Sequence, residues 1–308
     1  MVSVRWSREF QPCRKPANFH PLPLKCWKQP PVNHIPLYLG SNEGGHYFSW
    51  QTKWPPTSNQ EIVDRAAASH PVSRLGEGVS LARFATYERR RGAASLDRLN
   101  PSEMFGDCMT ELSYIECTAS AVIALCRFRE RWPDRLREEI DRAVASACAF
   151  LRRRQRPDGS FPGFWGINFT YATWFAVAAL RAAGTDRDDP DLARAAAWLI
   201  DKQKPDGGWG EHYSGCLTGT YVEHAQSQPV MTSWALLALM EILGPSEPVR
   251  RGISWLCRSQ RIDGSWPDGA VNGVFFGAAM LSYRLYPAYF PLWALNRYRT
   301  LVPHAERD

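Results

Sequence analysis

Gln155-Arg-Pro-Asp-Gly-Ser-Phe-Pro-Gly-Phe-Trp-Gly-Ile-Asn-Phe-Thr-Tyr-Ala-Thr-Trp-Phe175 carries two signals at once. Its first seven residues are one copy of a repeat. Gln203-Lys-Pro-Asp-Gly-Gly-Trp209 and Gln260-Arg-Ile-Asp-Gly-Ser-Trp266 are further copies, about fifty residues apart. Each interval has room for two helices, so the repeat predicts an array of helical hairpins. The unit has a physical logic. A helix stops at the glutamine, Asp-Gly makes a tight turn with glycine supplying the positive φ, and an aromatic ring folds back. The glutamine amide is expected to reach the ring face and the helix-end carbonyls, tying adjacent hairpins together.

The second signal is ring density. Phe161, Phe164, Trp165, Phe169, Tyr171, Trp174 and Phe175 crowd one short stretch. Aromatic faces stabilise a cation by roughly 0.5–2 kcal/mol each and offer no lone pair to quench it. The pattern points to cation chemistry on an apolar substrate.

Outward from this stretch, apolar residues recur at helical spacing over Tyr114–Phe128, Ile140–Leu151, Tyr171–Leu180, Leu192–Ile200, Val230–Leu243, Val249–Cys257 and Phe275–Tyr286. Asp189-Pro190 and Ser246 before Glu247-Pro248 read as helix starts, and Ala183-Gly184 as a stop. Residues 1–75 behave differently. Nine prolines fall in the first sixty positions and no period is visible, which predicts an irregular or disordered segment of unassigned role. The all-α domain is expected over 76–308.

The net charge of +6 comes partly from Arg89-Arg90-Arg91 and Arg152-Arg153-Arg154. Each run sits at the edge of a helical pattern and reads as a solvated helix end, not as a nucleic-acid surface. The eight cysteines form no Cys-x-x-Cys pair. Cys117, Cys126, Cys148 and Cys257 lie in apolar runs and read as reduced core thiols. No apolar run is long enough to span a bilayer, and no secretory leader is apparent, so any membrane contact is expected to be one-sided.

The repeats resemble the QW motifs of triterpene cyclases, and Asp158–Ala172 resembles that family's signature, with Phe161 where tryptophan is usual. Leu99-Asn-Pro-Ser-Glu-Met-Phe-Gly-Asp107, Tyr114-Ile-Glu-Cys-Thr118, Phe84-Ala-Thr-Tyr-Glu88, Phe169–Phe175, Ala225-Gln-Ser-Gln228 and Tyr289–Leu295 are similar to stretches of the oxidosqualene cyclases among them. The resemblance covers roughly 80–305. It implies an α/α toroid, one of the two in that family. It also implies an isomerase that protonates 2,3-oxidosqualene and steers the cations through ring closure in triterpenoid or sterol biosynthesis. No cofactor and no metal is implied. Contact with one leaflet of the endoplasmic reticulum or a lipid droplet, on the cytoplasmic side, is.

Carried over residue by residue, Tyr87, Trp165 and Phe275 match cation-stabilising pocket residues. Cys117 matches a cysteine that hydrogen-bonds the catalytic acid. Gln155, Phe161, Gln203, Trp209, Gln260 and Trp266 match the structural repeats. Glu116 reads either as a surface carboxylate or as a member of the same hydrogen-bond network. His224, Glu223 and Gln226 read as structural.

The general acid of the resembled family lies in an Asp-Cys-Thr-Ala-Glu motif that does not occur in this sequence. Asp107-Cys-Met-Thr-Glu111 aligns elsewhere. An epoxide needs a strong, protonated acid to open. The chain is therefore expected to be inactive alone, lacking that acid and an N-terminal toroid, and to expose an apolar face where a second domain packs. Two other readings stand beside this one. One is a prenyltransferase-like toroid subunit, with His212, Cys216 and His224 as zinc ligands. The other is a non-enzymatic helical scaffold, which explains the repeats but not the ring cluster.

Overall fold

The structure, a computed structural model, describes residues 113–268, 270–275 and 279–302. Tyr87, Asp107, the Arg89–Arg91 run and the whole 1–75 segment lie outside the described residues.

The described chain is mostly helical. In order come α1 (Ile115–Arg131), α2 (Arg137–Arg154), α3 (Asn168–Ala182), α4 (Pro190–Asp201), the short α5 (Ser214–Thr218), α6 (Pro229–Leu243), α7 (Glu247–Ser259), β1 (Gly273–Phe275), β2 (Ala279–Leu281) and α8 (Tyr286–Leu301). Two rows result. Helices α1, α3, α6 and α8 pack side by side in sequence order, while α2 lies on α1, α4 on α6, and α7 on α6 and α8. The composition explains the division. All of α6 except Glu241 and Leu243 is buried. A helix apolar all round belongs in the interior. In α7 only Val249, Gly252 and Leu256 are buried, one stripe on a charged helix.

The repeat turns join the rows. At each, the residue after the glutamine donates to the residue four further on (Arg156 to Ser160, Lys204 to Gly208, Arg261 to Ser265, 2.8–2.9 Å). Gly159 and Gly207 have φ of +94° and +97°. A Cβ on either would lie 2.3 Å from the Arg194 carbonyl oxygen or 2.7 Å from that of Arg251. Glycine is required twice over, by dihedral and by space. Gln155 Nε2 donates to the Gly159 oxygen (3.0 Å) and to Asp191 O in the first turn of α4 (2.8 Å). Gln203 Nε2 donates likewise to Gly207 O and to Pro248 O in α7, both at 2.8 Å. The amide thus ties one hairpin to the next helix's first turn, through carbonyls at both ends. Trp209 and Trp266 use their indole N–H differently. Each donates to a carbonyl ten residues earlier, Leu199 O (2.7 Å) and Leu256 O (2.9 Å), near the end of the preceding outer helix. Phe161 is wholly buried and has no such donor.

Several expectations are revised. The apolar run Phe275–Tyr286 is not a helix. It holds the β1–β2 hairpin, with Val274 opposite Met280, before α8 begins. Asn272 closes it by donating its N–H to Leu281 O (3.0 Å) and accepting Tyr283 N–H on Oδ1 (2.8 Å). The domain is therefore not purely α. Arg152 is no solvated helix end: it pairs with Asp189 (2.9 and 3.0 Å) and Asp191, and reaches Thr185 Oγ1. Asp189 caps α4 through Asp191 N–H (2.9 Å), as expected. Ser246 sits at the start of α7, but its hydroxyl is buried and caps nothing. Cys257 is exposed, not a core thiol; Cys126 is buried, and burial raises the Cys148 thiol to about 11.

Candidate functional site

The Gly163–Thr170 segment leads from the first repeat turn into α3, and two buried carboxylates hold it. Glu116, in the first turn of α1, accepts the N–H groups of Phe164 (2.5 Å) and Trp165 (3.0 Å) on one oxygen. Glu211 accepts those of Phe169 and Thr170 (both 2.9 Å) and the Thr170 hydroxyl (2.8 Å). The second places an acceptor at the N-terminus of α3, where four amide donors are otherwise orphaned. Between them Asn168 Oδ1 accepts Gly163 N–H (2.8 Å). Burial pushes both glutamates above the ordinary carboxylate range, and the hydrogen bonds they accept pull the other way.

Strand β1 then docks on this segment. Val274 N–H donates to Trp165 O (3.3 Å), Ile167 N–H to Asn272 O (3.4 Å), and Gly166 pairs with Gly273. A Cβ at Gly166 would sit 2.2 Å from the Tyr171 ring, so only glycine admits the approach. The pairing sets Phe275 beside Trp165, with ring centroids 5.9 Å apart at 57°. Tyr114 stacks on Phe164 at 4.2 Å and meets the Trp165 edge at 5.8 Å. Trp165, Phe164 and Phe275 are half-buried. Cys117 is half-buried too, one residue after Glu116 on α1.

The dense ring stretch does not form one lining. Phe161 and Phe169 are buried in the core. Tyr171, Trp174 and Phe175 belong to a second group on α3, with Trp234 of α6 and Phe290 and Trp293 of α8. Tyr171 lies 4.7 Å from Trp234, and Trp174 lies 5.5 Å from both Phe290 and Trp293. Burial pushes the Tyr171 phenol well above its ordinary value. At the edge of this group, Leu285 just before α8 and Tyr289, Leu292 and Trp293 on it leave an apolar face exposed. Trp165 and Phe275 are thus brought together, Tyr87 lies outside the described residues, and the six repeat residues stand in the turns that follow the outer helices.

The proposed zinc ligands do not converge. Among the described residues no group of three or more His, Cys, Asp or Glu could hold a metal ion. His212 Nδ1 meets Ser214 Oγ (2.8 Å), His224 Nδ1 meets Gln226 (2.9 and 3.0 Å), and burial raises the Cys216 thiol to about 12. No described helix is long and apolar enough to cross a membrane. Glu211 escaped the sequence reading: a lone carboxylate after Gly207-Gly-Trp-Gly is its only signal.

Solved structures of similar fold include type II terpene cyclases. A variant of the type II terpene cyclase MstE from Scytonema, in complex with merosterolic acid A, matches with a TM-score of 0.52. The match covers 80% of this chain and 68% of that one at 19% identity, a likeness of fold alone. The mostly helical, two-row architecture fits the α/α toroid of that class. The squalene–hopene cyclase C-terminal domain matches residues 103–300, and the chain belongs to that family as the C-terminal part of a triterpene cyclase. Mouse lanosterol synthase is 41% identical over 225 residues, covering 71% of this chain and 31% of that protein. Cycloartenol synthase of Dictyostelium discoideum is 43% identical over 220 residues, with the same two coverages. The chain therefore spans about a third of the length of the curated relatives it matches.

Proposed function

We propose that this chain supplies the C-terminal wall of a pocket in which 2,3-oxidosqualene is cyclised through carbocations, an isomerisation in triterpenoid or sterol biosynthesis. The observation that carries the reading is the Trp165–Phe275 pair, two half-buried rings aligned by backbone pairing between distant segments. Facing a cation, each contributes roughly 0.5–2 kcal/mol. Tyr87 joins them as a third cation-stabilising ring, and Cys117 supports the acid by a hydrogen bond. Residues 76–308 are the toroid domain, and residues 1–75 a segment of unassigned role. Gln155, Phe161, Gln203, Trp209, Gln260 and Trp266 are structural.

The acid itself has no counterpart here, since the Asp-Cys-Thr-Ala-Glu motif does not occur. The rings stabilise a cation; they do not make one. Alone, the chain binds but does not turn over. The exposed face of α8 (Leu292 at 54% and Trp293 at 48% exposure) suits packing against a second toroid or contact with one cytoplasmic leaflet. Incubating the purified 308-residue chain with 2,3-oxidosqualene in detergent tests this. No cyclised product is expected, with saturable binding that Trp165→Ala weakens. Turnover would overturn the incompleteness, and binding indifferent to Trp165→Ala would overturn the pocket.

A further inference from the structure

We infer that Glu116 is a positioning residue: its carboxylate holds the Trp165 backbone so that the indole stands against Phe275. Glu116 is 4% exposed, and one oxygen takes two consecutive amide N–H groups, those of Phe164 and Trp165. Its other oxygen is buried with no hydrogen-bond partner among the described residues. Burying a carboxyl with one oxygen unmet is costly, and such a group persists where its other contacts specify something. What is specified lies one peptide unit away. Trp165 N–H goes to Glu116, and Trp165 O receives Val274 N–H from β1. One residue is gripped from α1 on its amide side and from the hairpin on its carbonyl side. The strand that makes the second grip carries Phe275.

Glu211 shows what the same chemistry does without that consequence. It too accepts two consecutive amide N–H groups, but at the first residues of α3, where it caps a helix. The Phe164–Trp165 peptides belong to no helix. Holding them does not cap an element; it places a ring. What that placed ring does rests on the cyclase reading, whereas its placement by Glu116 does not.

The test uses the full chain in detergent, labelled with 5-fluorotryptophan, with the Trp165 ¹⁹F resonance assigned by its loss in Trp165→Phe. Glu116→Ala is expected to shift or broaden that resonance, and Glu116→Gln, which keeps the acceptor oxygen, to restore its position. Glu211→Ala is expected to leave it in place. Should Glu116→Ala fail to fold, Glu116→Asp, which retracts the acceptor by one methylene, is expected to give the shift. An unmoved Trp165 resonance in the folded Ala or Asp variant, or an equal shift in Glu211→Ala, would overturn the positioning role. Solubilised 2,3-oxidosqualene provides a separate arm. If Glu116→Ala moves the resonance but the substrate does not, the substrate assignment fails and the positioning role stands.

Discussion

The first and third repeat turns have nearly the same sequence, yet they hold different amounts of structure together. Gln155 bonds its own turn and the first turn of α4, and Arg194 donates to its amide oxygen (2.6 Å). Gln260 bonds its own turn, at Gly264 O (2.9 Å), and that turn is exposed throughout Gln260–Gly264. Gly159 lies against the Arg194 backbone, whereas nothing described lies within 4 Å of a Cβ built on Gly264. A motif sets a turn's conformation; what packs against the turn sets its worth.

The largest break of this comparison is expected at the glutamines. Gln155→Ala loses three side-chain bonds and Gln203→Ala two, and each should cost about 2 kcal/mol, against about 0.5 kcal/mol for Gln260→Ala, which loses one. Urea unfolding of the three variants checks the ordering, and equal losses would remove the distinction. Next come the indoles. Trp209→Phe and Trp266→Phe each strand a carbonyl near a helix end and should cost about 1 kcal/mol, read by thermal melting. Phe161→Trp runs the exchange in reverse. A new indole donor, with Leu151 O as the matching acceptor ten residues earlier, should nearly offset the overpacking of a well-filled site. A loss above about 2 kcal/mol would show that the first turn has no room for the indole that the other two hold.

The smallest effect is a slope. Neutral amides do not titrate, so the glutamine variants shift a stability–pH curve without tilting it. Burial raises Glu116 and Glu211 in the folded chain. Below the ordinary carboxylate pKa both states are protonated, and the raised folded value imposes no loss. As pH rises through the raised folded values, the folded state holds protons that the unfolded state has released, and stability declines. Glu116→Gln and Glu211→Gln are each expected to flatten this decline above the ordinary carboxylate range, measured by denaturant midpoints across pH. An unchanged slope in both would show that neither carboxyl keeps a raised pKa.

Helices were legible where their cause is local. Asp189-Pro190 both predicts and forms a capped start, and the largely apolar run of α6 is an interior helix. The Phe275–Tyr286 run misled because apolar spacing alone does not separate a short strand from a buried helix. The partner that decides, the 165–167 segment, is more than a hundred residues away in sequence. Arg152 misled for a similar reason: its run of three arginines looks solvated until α4 brings Asp189 and Asp191 to it.

The chain's own order of residues determined the hairpin period, the glycine-dependent turns, the buried helices and the family, because dihedral preference and apolar spacing act between neighbours. The folded arrangement alone decided which rings meet. Phe161, Phe169 and Trp165 are equally aromatic on paper. Two are enclosed in the core, and one is set beside Phe275 by a glutamate from α1 and a strand from the far end of the chain. Placement of that kind depends on hydrogen bonds between segments remote in sequence, and no local pattern encodes them.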